Sequence, residues 1–192
     1  MTEKYEHDPV IGVMPILTFW DKNVYFGHQE LMTKDWCDKR RGDIGLIGMG
    51  GIEEHETVIE ALKRELKLEG GLVENDYVID PEPYGFFNTK KGWVAVHIVF
   101  INLGKVNGRT LGPQDGETNC PSRFKSRQLR NFGVRGGVEE VIEAFEEGRR
   151  GFELSCVGHH AEANGRIPMN MLYVIEEDNV REYGLIWERV SL

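Results

Sequence analysis

Residues 50–72 read GGIEEHETVIEALKRELKLEGGL, in which a glycine pair precedes an amphipathic run and a second glycine pair ends it. An α-helix turns by about 100° per residue, so Glu65 and Glu69 share one side of the predicted helix with its apolar side chains. Carboxylates in such a place usually pair with a cation, bind a metal ion or lie in a wet cleft. Two interpretations are open. Either the helix end frays, with Glu69 in solvent and Glu65 in an ordinary ion pair, or the two carboxylates form a functional site.

The composition of the chain indicates a single acidic domain. Its 192 residues, 40% of them hydrophobic, suffice for one compact domain with a real core. The formal net charge of -9, from 32 acidic and 23 basic side chains, disfavours broad binding to nucleic acid or to an anionic membrane. An anionic ligand would therefore need a local basic cluster or a metal ion.

The cysteines and the amino terminus indicate a cytoplasmic protein. Cys37, Cys120 and Cys156 are odd in number and lack metal-ligand spacing, so we expect reduced thiols and no zinc site. The stretch MTEKYEHDP is polar and acidic, and the apolar run after it is too short to span a membrane and contains Pro15. We expect neither a secretory signal nor a transmembrane helix.

Two hairpins are predicted from β-prone runs. Residues 10–20 and 23–32 predict the first, and residues 85–104 predict the second, with its turn at 90–92. The run WVAVHIVFINL is apolar almost throughout, which predicts a central strand covered on both faces. His97 within it is expected to be a hydrogen-bonded core histidine.

The helix boundaries follow from capping residues. A short strand at 44–49 leads into the first glycine pair, Thr57 is the expected amino-terminal cap, and the second glycine pair ends the helix. Residues 104–123 are rich in Gly, Asn and Pro and are predicted to form a long connection. A second amphipathic helix is predicted where apolar residues recur at helical spacing, at Val138, Val141, Ile142 and Phe145.

The first helix and its glycine loop resemble the Nudix box. That signature reads Gly, five residues, Glu, seven residues, Arg-Glu-aliphatic-any-Glu-Glu-any-Gly-aliphatic. The one departure is Leu68, which stands where the family has the first Glu of its Glu-Glu pair. The matching residues are Gly50, Glu56, Arg64, Glu65, Leu66, Glu69, Gly71 and Leu72.

The resemblance implies an α+β fold, the Nudix αβα sandwich with a mixed β-sheet between helices. Residues 1–150 would form the Nudix domain, and residues 151–192 a C-terminal extension packed on it that adds strands, covers the site or forms a homodimer contact. Nudix enzymes hydrolyse a phosphoanhydride in a nucleoside diphosphate linked to another moiety. The resemblance therefore implies such a small-molecule partner and a divalent cation, Mg²⁺ or alternatively Mn²⁺.

For the metal, the resemblance implies Glu65 and Glu69 as ligands, with the backbone carbonyl of Met49 beside them. Two glutamates one helical turn apart, with side chains that lean the same way, can converge on one cation. Mg²⁺ needs few carboxylates when substrate phosphates complete its coordination. The resemblance also implies that Arg64 orients a carboxylate, through a salt bridge with Glu56, and does not contact the substrate.

Three further positions of the box carry expectations. Gly50 would let the loop pass close to the metal, and Glu53 either faces the site or is solvated loop charge. Leu68 decides between two possible functions, because the loss of one carboxylate should weaken the affinity for the metal ion. The chain is then either an active Nudix hydrolase or a catalytically impaired Nudix-fold domain that binds a nucleotide-type ligand in a regulatory role. A structural domain with a fortuitous motif is a third account.

Residues outside the box complete the expected site. The family often takes a general base or a further ligand from a later loop, where Glu117 is our first choice and Asp115 the alternative. A turn with solvated acids is an equally open interpretation. Arg40 and Arg41 precede the glycine loop, and their guanidinium forks suit diphosphate oxygens, although a solvated charge run is the commoner explanation.

Overall fold

The structure is a computed structural model that describes residues 9–19, 24–32, 41–89, 91–106, 112–113, 116–129 and 133–155. Within these ranges the chain forms nine strands and four helices. The strands are β1 (Val10–Thr18), β2 (Tyr25–Glu30), β3 (Ile44–Leu46), β4 (Gly50–Gly51), β5 (Tyr77–Ile79), β6 (Gly85–Thr89), β7 (Gly92–Ile101), β8 (Thr118–Phe124) and β9 (Phe152–Ser155). The helices are α1 (Val58–Gly70), α2 (Leu103–Val106), α3 (Ser126–Leu129) and α4 (Val138–Glu146).

The mixed sheet is built around the parallel pair β1 and β7. The strand order is β3-β2-β1-β7-β6-β9, with β4 paired to β1, β5 to β7 and β8 to β2. β1 is antiparallel to β2, and β6 is antiparallel to β7 up to the pair Thr89 and Gly92, so both predicted hairpins are confirmed. His97 of β7 is buried, with its Nδ1 3.0 Å from the carbonyl oxygen of Asp80, as expected for a core histidine.

Each face of the sheet is covered by a helix. Neighbouring side chains on a strand point to opposite faces. Val13 of β1 and Ala95 of β7 pack with α1, whereas the next residues, Met14 and Val96, pack with α4. The structure is therefore the predicted αβα sandwich. The packed side chains are Val58, Ala61 and Leu62 of α1, and Val138, Val141, Ile142, Ala144 and Phe145 of α4.

Helix α1 begins and ends where its capping residues predict. The Thr57 hydroxyl accepts the N–H of Glu60 at 3.2 Å, and the Glu60 carboxylate accepts the N–H of Thr57 at 2.8 Å, which forms a capping box. Gly71 adopts a left-handed conformation with φ 65°, and its N–H donates to the carbonyl of Lys67 at 3.0 Å. The caps fix the length of the helix and hence the position of its carboxylates.

The prediction of a long connection over residues 104–123 is wrong at both ends, because the stretch runs into α2 and contains most of β8. The sequence of β8 has a low propensity for strands, since it includes Pro121. It forms a strand nevertheless, because it pairs with β2.

The segment expected as an extension begins inside the sheet, since β9 pairs in parallel with β6. Residues 156–192 lie outside the described residues, so the boundary at residue 150 stays a prediction. No helix in the part of the chain that the structure describes is long and apolar enough to cross a membrane.

The loop between β3 and β4 lies where β1 changes its antiparallel partner. β1 pairs with β4 near its start and with β2 at Thr18. Pro15, between these positions, has no N–H to place in a ladder. Gly48 of the loop has φ 94°, and a Cβ on it would lie 2.8 Å from Pro15 Cγ and 3.0 Å from Leu66 Cδ2. The loop is thus held tightly between β1 and α1.

Replacing Gly48 with alanine should destabilise the fold. Alanine would have to adopt a positive φ, which costs on the order of 1–3 kcal/mol, and its Cβ would crowd Pro15 and Leu66. The matched control is Gly148→Ala, because Gly148 has φ 72° with nothing within 4 Å of the added Cβ. Urea unfolding should give a larger loss of free energy for Gly48→Ala than for the control. Equal losses would contradict the tight packing of this loop.

Candidate active site

Arg64 of α1 ties the helix to the loop before it. Its Nε and Nη2 donate to the two oxygens of Glu56, both at 2.9 Å, and Nη2 also donates to the carbonyl oxygen of Gly51 at 2.8 Å. Its Nη1 donates to Glu65 Oε1 at 2.6 Å. The bidentate contact lowers the pKa of Glu56 and raises that of Arg64. The salt bridge that the box resemblance implies between Arg64 and Glu56 is present.

The Glu65 carboxylate occupies the space that a side chain at position 50 would need. The Glu65 side chain is only 13% exposed, and a Cβ on Gly50 would collide with its carboxylate. Glycine is the residue that lets the backbone of β4 come this close to a side chain of α1. Glu65 is therefore turned toward the glycine loop.

Glu69, one turn further along α1, is buried. Its Oε2 accepts the N–H of Gly48 at 2.6 Å, and the residue is 3% exposed. Burial raises the pKa of Glu69 to about 7; His28 and the Gly48 N–H oppose this shift, and the charge of Glu65 adds to it. The interpretation that places Glu69 in solvent is wrong, because the helix does not fray at this point. Glu65 does form an ion pair, with Arg64.

Behind Glu69 lies a row of charged side chains that we call the His28 row: His28, Glu30 and Arg135. His28 Nδ1 is 3.6 Å from Glu69 Oε2, and His28 Nε2 is 3.2 Å from Glu30 Oε1. Arg135 Nη1 donates to the same Glu30 oxygen at 3.2 Å. Burial alone would lower the pKa of His28, but the nearby Glu69 and Glu30 carboxylates outweigh it and raise this pKa.

Sequence reasoning missed the His28 row. His28 and Glu30 alternate on β2 and so point to one face, but the run around them is β-prone and matched no motif. The only available signal was the polar triplet HQE inside a strand that is buried throughout. Arg135 lies more than 100 positions away, and only the fold brings it to Glu30.

The remaining box positions lie close to the glycine loop. Met49 is buried, and its Sδ accepts the N–H of Leu46 at 3.2 Å, while the expected role of its carbonyl stays a prediction. Glu53 has a side chain that is 72% exposed, 3.7 Å from Arg64 Nη1. Leu68 is half-buried.

The expected residues outside the box are only partly described. Glu117 precedes β8, and its carbonyl oxygen accepts the N–H of Leu31 at 3.0 Å, which places it beside the end of β2. Arg41 is exposed in the turn before β3. Arg40 and Asp115 lie outside the described residues. The roles expected for Glu117, Arg40 and Arg41 stay predictions.

The two carboxylates beside the glycine loop fit a divalent ion whose other ligands are oxygens of water and of substrate phosphates. Within the described ranges, no three His, Cys, Asp or Glu side chains are close enough together to hold a metal ion. Glu65 and Glu69 are near enough for one charge to raise the pKa of the other. Two carboxylates, supplemented by water and substrate phosphates, are the usual protein contribution to a Mg²⁺ site.

The fold matches solved Nudix structures. A NUDIX hydrolase from Nitrosomonas europaea is similar with a TM-score of 0.54 at 13% identity, over 81% of this chain and 81% of that chain. An Ap4A hydrolase from C. elegans, solved as a binary complex, is similar with a TM-score of 0.54 at 10% identity, over 71% of this chain and 96% of that chain. No family model matches the sequence, and no curated protein matches it. The chain is a Nudix-fold protein.

Replacing Arg64 with lysine should destabilise the protein by about 2 kcal/mol, because an ammonium cannot keep the forked contact with Glu56 and the bonds to Gly51 and Glu65. The control is Lys63→Gln, which breaks an exposed ion pair with Glu74 that solvent screens and that should contribute little to stability. Both values come from urea unfolding at neutral pH. Losses of the same size would mean that the Arg64 contacts do not hold the loop.

Proposed function

We propose that the protein is a Nudix hydrolase that uses Mg²⁺, or Mn²⁺, to cleave a phosphoanhydride in a nucleoside diphosphate linked to another moiety. One observation carries the proposal. Glu65 and Glu69, one turn apart on α1, both point at the loop of residues 48–51, where one carboxylate fills the space beside Gly50 and the other accepts the Gly48 N–H. Buried carboxylates facing one loop are what a shared cation requires.

The residues beside the loop have two proposed roles, metal binding and positioning. Glu65, Glu69 and the backbone carbonyl of Met49 would hold the ion. When bound, the ion supplies Lewis acidity, which draws charge from phosphoryl oxygens and lowers the pKa of water. Arg64 is a positioning residue, since its Nη1 holds Glu65 Oε1 while its other nitrogens hold Glu56.

Substrate contacts come from the surrounding loops in this proposal. Arg40 and Arg41 bind the diphosphate oxygens, Gly50 lets the loop pass close to the metal, and Glu53 faces the site. Glu117 is the proposed general base. Similarity to an Ap4A hydrolase supports placing dinucleoside polyphosphates among the substrates to be screened. The partner is a small molecule, with no role for nucleic acid or membrane, in a cytoplasmic protein.

A second account is favoured by Leu68. Leu68 takes the place of one of the family's metal-binding carboxylates, and the described residues contain no group of three His, Cys, Asp or Glu side chains that could hold a metal ion. A Nudix-fold domain with this loss would bind a nucleotide-type ligand in a regulatory role without hydrolysing it. The two accounts differ in turnover, not in fold.

Glu69→Gln should reduce hydrolysis by about 100-fold or more, because a lost metal ligand removes several kcal/mol of charge stabilisation in the transition state. The assay screens nucleoside diphosphate derivatives and dinucleoside polyphosphates with Mg²⁺ or Mn²⁺. Glu54→Gln is the matched control, since Glu54 lies between β4 and α1 and its side chain is 90% exposed.

The outcome separates the accounts. Wild-type activity in Glu69→Gln would remove Glu69 from the mechanism. No turnover in the wild type, together with turnover in Leu68→Glu, would favour the regulatory account. No turnover in either, with no change in stability on adding Mg²⁺, would leave a structural domain, since a ligand of the native state must raise stability.

A further inference from the structure

The carboxylate of Glu69 holds the glycine loop by its backbone. Its Oε2 accepts the Gly48 N–H at 2.6 Å, a short bond compared with the usual range of about 2.7–3.2 Å. The same oxygen lies 3.6 Å from His28 Nδ1, and both side chains are almost fully buried. A shift of the Glu69 carboxylate would stretch or break its bond to the loop. The groups around this carboxylate therefore decide where Gly48 lies.

The ring of His28 is held on the side away from Glu69. Its other nitrogen, Nε2, lies 3.2 Å from Glu30 Oε1, and Glu30 is fully buried. Gly45 lies opposite His28 on β3, and a Cβ on it would stand 2.9 Å from His28 Nε2 and 3.0 Å from Glu30 Oε1. The ring and the Glu30 carboxylate thus fill the space that glycine leaves open. The His28 ring can keep its place only as long as Glu30 keeps its own.

Arg135 brings a positive charge to Glu30. Its Nη1 donates to Glu30 Oε1 at 3.2 Å, and its side chain is 13% exposed. The backbone fixes Arg135, because its N–H donates to the carbonyl of Ile44 at 2.9 Å and the preceding Val134 pairs with Ile44 in a parallel bridge. A buried carboxylate that loses its cationic partner is left with uncompensated charge. Loss of the Arg135 guanidinium would therefore release Glu30 and, with it, the ring of His28.

We propose that the His28 row positions the glycine loop for metal binding, with Arg135 and His28 as positioning residues. Arg135 holds Glu30, and Glu30 holds the ring of His28. The ring keeps the Glu69 carboxylate against the Gly48 N–H. No residue of the row contacts the ion or the substrate in this proposal. The effect on metal binding rests on the proposed function, whereas the effect on the loop does not.

The first measurement is the exchange of the Gly48 amide proton with solvent, followed by NMR on the full chain. Arg135→Gln should speed this exchange by about 10-fold, because the bond to Glu69 would open more often. The amides of the central strand β7 should keep their wild-type exchange, which separates a local opening from a loss of global stability. Arg135→Lys should keep most of the protection of Gly48, since an ammonium still offers Glu30 a positive charge and a donor.

The second measurement is the Kd for Mn²⁺, determined by calorimetry. Arg135→Gln should raise this Kd by about 10-fold, the lower end of the effect that partners behind metal ligands usually have. Hydrolysis should fall at limiting Mn²⁺ and recover at saturating Mn²⁺, since the chemistry does not use Arg135. Arg150→Gln is the matched control, because Arg150 also bonds a carboxylate, that of Asp80 at 3.0 Å, but its side chain is 59% exposed. The control should change neither the Kd nor the exchange of Gly48.

A second variant keeps the inference testable if Arg135→Gln does not fold. His28→Gln removes the ring beside Glu69, leaves the pair of Arg135 and Glu30 in place and should show both effects. Wild-type exchange of Gly48 in the folded variants would overturn the inference, and so would an equal rise in exchange throughout β7. Faster exchange of Gly48 with an unchanged Kd for Mn²⁺ would overturn the link to metal binding.

Failure of the proposed function would give a different result. The wild type would then neither bind Mn²⁺ nor hydrolyse any substrate, while exchange of Gly48 would still be faster in Arg135→Gln. That result would support the positioning of the loop by the His28 row and contradict the hydrolase proposal. Hydrolysis by the wild type, with the same Gly48 exchange and the same Kd in all variants, would overturn the positioning role and leave the hydrolase proposal intact.

Discussion

The glycine loop, residues 48–51, can approach α1 only because it has glycine at positions where a side chain would collide with its neighbours. A side chain on Gly48 would meet Pro15 and Leu66, and a side chain on Gly50 would meet the carboxylate of Glu65. This contact between loop and helix decides the direction of both carboxylates. The position of α1 against the loop therefore requires glycine at these two places. The caps of α1 and the hydrogen bonds of Arg64 hold the helix in the same position.

The contact between the glycine loop and α1 brings several carboxylates together, and the nearby cations do not fully compensate the charge of Glu69. Arg64 compensates Glu56 and Glu65, but Glu69 is buried with a pKa raised to about 7, despite the Gly48 N–H and His28 beside it. A carboxylate with a raised pKa is one whose charge the fold compensates incompletely. A bound divalent ion would supply the missing charge. In a chain of net charge -9, that ion would also be a local attraction for an anionic substrate.

The box was predictable from sequence because its residues act over short distances along one helix and one loop. The Thr57 cap, the Arg64 to Glu56 salt bridge and the inward turn of Glu65 all follow from spacing and resemblance. The His28 row could not be predicted, since Arg135 reaches Glu30 from a distant part of the chain and β2 resembles an ordinary buried strand. β8 was missed because pairing with β2, and not its own sequence, makes it a strand.

Calorimetric titration of the metal-free chain with Mn²⁺ tests the central claim most directly, by comparing the wild type with the double variant Glu65→Gln, Glu69→Gln and with Glu54→Gln. If the two carboxylates share a cation at the glycine loop, the wild type and Glu54→Gln bind Mn²⁺ at one saturable site, and the double variant does not. Equal binding by all three proteins, or binding by none, would contradict a metal site built on α1.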